Sequence, residues 1–152
     1  RNCDWSSDVC SSDLLPNLRI LLDAGADPDR PSSYGVLPLV EFVCWGAWDQ
    51  VRLLLDHGAD PGQVEPSGRS SASCLYSSVH WNEMPDRVRL LLEHGLDPCF
   101  AIDGRVIHPP QAEPRLLSDQ LIRWGHPALG REVAELCARK SAPAVLEGAG
   151  SR

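Results

Sequence analysis

The chain has 152 residues, with 14 basic against 21 acidic side chains, a formal net charge of −7 and 43% hydrophobic residues. That composition fits one globular domain with enough apolar content for a core. The acidic balance lacks the basic footprint that nucleic acid requires, and no apolar run approaches the ~18 residues of a membrane span. Neither nucleic acid nor a membrane is an expected partner.

Residues 4–14, DWSSDVCSSDL, have no helical or strand period. They match, residue for residue, the conceptual translation of a common sequencing-adapter oligonucleotide. Segment 1–14 is therefore read as non-native and kept out of fold reasoning. Omitting it removes one Arg and three Asp, which brings the net charge to −5, and it removes Cys3 and Cys10. Cys44, Cys74, Cys99 and Cys137 remain, with no CxxC spacing among them. They are expected to be small, buried or half-buried thiols in a reducing compartment, which favours the cytoplasm.

A helix is expected over 15–24, with Pro16 in its first turn, where a missing N–H is harmless. The helix that would pair with it lies upstream, so the natural chain is expected to continue N-terminally. Residues 27–35, DPDRPSSYG, read as a turn or short hairpin. Two helices follow over 37–45 and 48–57, separated by Gly46. The next unit has a longer Ser-rich finger, an inner helix over 74–81, Asn82 in the place of Gly46, and an outer helix begun by Pro85. Beyond it come a turn at 102–106, a Pro-rich insertion at 107–114, and a helix pair over 115–124 and 127–140 around Gly125. Residues 141–152 read as a flexible tail.

One stretch organises this order. LRILLDAGADP at 18–28 recurs as VRLLLDHGADP at 51–61 and VRLLLEHGLDP at 88–98, with offsets of 33 and 37 residues. Val51, Leu54 and Leu55 make one apolar helical face, widened by Leu53. Gly58 ends the helix in a left-handed conformation, and Pro61 stops it from resuming. A helix this short needs a neighbour to cover its face. A fixed period of this length is the signature of a repeat architecture.

With Gly35-Val36-Leu37-Pro38-Leu39, Gly46 at the inter-helix turn and Val51 to Pro61 in view, the chain resembles the ankyrin-repeat family. The resemblance implies an all-α solenoid of helix-turn-helix units with short hairpin or loop fingers, about three to four repeats in all. It divides 15–140 into a partial first repeat 15–28, repeats at about 29–61 and 62–98, and a degenerate capping unit 99–140. Leu37 stands where the family has Thr, whose hydroxyl ties the helix start, and Val40 where it has His. Both changes are expected to weaken the hydrogen bonding between repeats.

No catalytic or metal signature is present. Cys99 and His108 match no metal-site spacing. His57 and His94 each precede a helix-ending Gly, where a partly positive ring suits the helix dipole better than catalysis. Asp27, Asp60 and Asp97 recur two residues after that Gly, an offset that suits capping of nearby backbone N–H groups. Trp45, Trp81 and Trp124 each end an expected inner helix, so stacked repeats would align them in a column. Such a column packs between neighbouring helices or anchors a partner; the two roles are not exclusive. Tyr34, Cys44 and His80 join Trp45, Trp81 and Trp124 as the candidate partner-binding surface.

The expected function is a non-catalytic protein–protein interaction module, a monomer without cofactors and part of a longer chain. The competing reading is a targeting or regulatory repeat segment of a larger enzyme or effector. A third, a small zinc- or redox-responsive domain using the cysteines, ranks behind both.

Overall fold

The computed structural model describes residues 11–76, 81–106 and 113–142. The described chain is mostly helical, with α1 (Ser11–Asp23), α2 (Pro38–Trp45), α3 (Trp48–Asp56), α4 (Ser71–Cys74) and α5 (Met84–Glu93). A two-residue strand β1 (Ala101–Ile102) pairs antiparallel with β2 (Arg115–Leu116), and α6 (Leu117–Arg123) and α7 (Pro127–Ser141) close the order. Helix α2 packs on α3 and α4, α1 on α3, and α6 on α7.

The recurring stretch builds these helices as its pattern requires. Val51, Leu53, Leu54 and Leu55 are all buried, and Leu18, Leu22, Val88 and Leu91 join them in one core cluster. At the end of α3 the Gly58 N–H donates to Leu55 O and the Ala59 N–H to Leu54 O. Gly58 sits at φ 90°. This is a Schellman closure, which satisfies the last carbonyls and needs a left-handed residue. The same pair of bonds recurs at Gly25, Gly46, Gly95 and Gly125.

Several boundaries differ from expectation. Helix α1 starts at Ser11, so Pro16 lies inside it rather than in its first turn, and the segment set aside as non-native contributes helical backbone. Asn82 lies in a 3-10 turn, Trp81–Glu83, that leads into α5, rather than in a helix-ending turn. Residues 77–80 of the expected inner helix lie outside the described residues, as do 107–112 and 143–152. The helix expected from 115 begins at Leu117, because Arg115 and Leu116 extend to pair with Ile102 and Ala101. The expected turn at 102–106 divides between β1 and a 3-10 turn, Gly104–Val106.

The expected weakness around Leu37 is offset from the next finger. Glu65 is only 5% exposed, and its Oε1 accepts the Leu37 N–H at 3.0 Å. In a capping box an acid three residues into the helix accepts this N–H; here the acid comes from 28 residues downstream. The finger that carries it is a tight hairpin, in which the Glu65 N–H donates to Arg69 O and the Gly68 N–H to Glu65 O. Ser67 Oγ and the Arg69 guanidinium hold the other oxygen of Glu65. Val40, in the position of the missing His, is instead a core side chain.

Candidate partner-binding surface

The finger over 30–36 and the end of α2 present two large aromatic side chains to solvent. Tyr34 is 81% exposed. Its N–H donates to Ser32 Oγ, and Ser32 N–H to Val36 O, so the finger carrying Tyr34 is internally braced. Trp45 is 64% exposed and stands edge-on to Phe42, with ring centroids 6.2 Å apart and planes at 82°. Phe42 is buried, so the exposed indole rests on a fixed support. An exposed aromatic on a rigid base loses little freedom when a partner covers it.

The other candidates separate from these two. Trp124 is only 9% exposed, and its ring stacks on Tyr76 at 5.5 Å. It lies within the core cluster. The expected column therefore does not run as one surface: Trp45 faces water, whereas Trp124 is buried in the core and stacked on Tyr76. His80 and the Trp81 side chain lie outside the described residues.

Cys44 is half-buried and joined to Cys74, with the sulfurs 2.00 Å apart. Cys99 is likewise joined to Cys137, at 1.96 Å. The expectation of four scattered free thiols is thus overturned. For the first pair the reason lies in the period: Cys44 and Cys74 are 30 residues apart, close to the 33 that separates the first two recurring stretches. Cys99 and Cys137, 38 residues apart, stand at the two ends of the last stretch, 99–140, whose α6 and α7 pack on each other. A comparison of cysteine spacing with the repeat offset is the signal that would have found the first pair. His108, weighed beside Cys99 as a metal ligand, lies outside the described residues.

The recurring polar residues hold the backbone. Asp27, Asp60 and Asp97 each accept, through Oδ1, the N–H two residues on, at 3.0, 2.8 and 2.9 Å. The His57 and His94 rings each place Nδ1 2.9 Å from the carbonyl four residues back, on Leu53 and Leu90. Their Nε2 atoms reach across to the preceding unit, His57 to Asp23 at 3.0 Å and His94 to Asp56 at 3.4 Å. Both partners of His57 are acceptors only, so both ring nitrogens must carry a proton to bond them. The Leu53 carbonyl, then the Asp23 carboxylate, accordingly raise the His57 pKa above its usual value.

Sequence reasoning missed Trp48 and Arg87. Arg87 is 6% exposed, paired with Glu83, and its guanidinium lies 4.6 Å from the centre of the Trp48 ring. A cation over an aromatic face joins α3 to α5 at this point. Arg69 acts similarly between units, reaching Glu41 at 3.3 Å and the Cys44 sulfur at 3.0 Å.

Between the two later fingers lies an open cleft of about 360 Å³ lined by Val64, Gly68, Ser70, Phe100, Asp103 and Arg105. Its charged groups neutralise one another, with Arg105 holding Asp103 down to about 2. Among the described residues, no group of three or more His, Cys, Asp or Glu is placed to hold a metal ion, and no helix is long and apolar enough to cross a membrane. A scan of protein-family models and a search of curated proteins find no match to this chain.

Proposed function

We propose that this chain is an ankyrin-type repeat module that binds another protein and has no catalytic activity of its own. The observation that carries the reading is the pair of contacts His57–Asp23 and His94–Asp56, in which the same two positions meet across successive units. Contacts that repeat with the sequence period are what a stack of equivalent helix pairs produces. The Schellman closures and the Asp side-chain bonds recur at that period as well. A scaffold of this kind leaves its finger tips and inner-helix ends free to vary, and Tyr34 and Trp45 are the large aromatics it presents there.

Photo-crosslinking tests the reading. A photoreactive residue at Tyr34 or at Trp45 should give a discrete protein adduct that excess unlabelled chain displaces. The same residue at Glu135, an exposed position on α7, should give none. Equal adducts at all three positions, or none at Tyr34 and Trp45, would count against a binding surface there.

A further inference from the structure

The two disulfides hold very different surroundings. Cys44–Cys74 joins α2 and α4, which pack on each other and carry the buried side chains Leu39, Phe42, Val43 and Ala72, and the Glu65–Leu37 bond ties α2 to the finger that precedes α4. Cys99–Cys137 lies where there is little else. The buried residues of α7 are Leu129, Gly130 and Val133, all in its first half. There α7 is pressed so closely to α6 that a Cβ on Gly130 would lie 2.6 Å from the Ser118 carbonyl oxygen, and Glu132 pairs with Arg89 at 2.9 Å. Beyond Val133, Leu136 and Cys137 are half-buried and the other residues to Ala142 are exposed. This second half is fastened by Cys99–Cys137 and by the Lys140–Asp97 pair at 2.7 Å, and an exposed ion pair alone holds little.

We propose that Cys99–Cys137 is a reversible thiol-exchange site, opened by a dithiol reductant, that fastens or frees the last two turns of α7 while the rest of the fold stays closed. Both cysteines are half-buried rather than enclosed. A reductant thiolate attacks the Cys137 sulfur, the Cys99–Cys137 bond breaks, and Cys99 leaves as a thiolate that takes up a proton. Ser141 Oγ, 3.7 Å from the Cys99 sulfur, is placed to donate to that leaving thiolate. The second thiol of the reductant then displaces Cys137 from the mixed disulfide. Two electrons and two protons pass to the cysteines, and the dithiol becomes a disulfide. With the link open, the C-terminal half of α7 keeps no buried apolar side chain and frays.

Hydrogen exchange read by mass spectrometry on the full chain, oxidised and then reduced with dithiothreitol, tests this. Peptides covering 134–142 should exchange faster by about tenfold or more after reduction, while those of α2 and α6 change little. Re-oxidation should restore the slow rate. Cys137→Ser in the oxidised chain should reproduce the fast rate at 134–142, whereas Cys74→Ser, which keeps the Cys99–Cys137 link, should not. An unchanged rate at 134–142 after reduction would overturn the proposal. So would uniform acceleration across the chain in Cys137→Ser, which would make the link a support of the whole fold.

Discussion

At the scale of single residues, two tryptophans in related positions have opposite tasks. Trp124 closes the core against Tyr76, so Trp124→Ala should cost about 3–5 kcal/mol and lower the melting temperature by roughly 10 °C. Trp45 rests on the surface, and Trp45→Ala should change stability by no more than about 0.5 kcal/mol. Thermal melts of the two variants decide it, and similar losses in both would mean that Trp45 packs as Trp124 does. The recurrence of Trp before Gly was legible in the sequence. Burial was not, because it depends on what covers each ring. Tyr76 stacks on Trp124, and no repeat offset announces Tyr76.

His57 is a second case. Its folded pKa is raised, so the stability it contributes is present below its unfolded pKa of about 6.5 and is lost as pH rises through the higher folded value. An NMR titration of the His57 ring should find a midpoint above 6.5, and Asp23→Asn should bring it down. A midpoint indifferent to that change would mean that the contact with Asp23 does not form in solution.

At the scale of elements, the helix ends are better determined than the helix starts. Helices α1, α2, α3, α5 and α6 each end near a Gly, and the N–H of that Gly and the N–H of the next residue close the last turn in the same way each time, which is why these stops could be read directly. The starts borrow groups from elsewhere. Helix α2 has no side-chain cap of its own, and the N–H of Leu37 depends on Glu65 in the following finger. Glu65→Ala would leave that buried N–H without an acceptor and should cost about 1–3 kcal/mol. Chemical denaturation would show it as a lower midpoint with an unchanged slope. A neutral result would mean that water reaches Leu37 and replaces the carboxylate. Helix α4 is the contrast, since Ser70 and Ser73 cap it locally.

At the scale of the whole molecule, the units are joined by polar and covalent ties as well as by a shared apolar core. His57–Asp23, His94–Asp56, Arg69–Glu41 and Lys140–Asp97 all run between successive sequence repeats, and so does Cys44–Cys74, whereas Cys99–Cys137 joins the two ends of the last one, 99–140. The period could be read from three copies of one stretch, and with it the mostly helical character of the chain. Which cysteines meet could not be read from CxxC rules, because those describe close neighbours in sequence and these pairs are 30 and 38 residues apart. The central claim is that successive units stack in register. Peptide mapping of the air-oxidised protein under non-reducing conditions tests it most directly. The account predicts two linked peptides, one joining Cys44 to Cys74 and one joining Cys99 to Cys137. Links between Cys44 and Cys99 or between Cys74 and Cys137, or four free thiols, would contradict it.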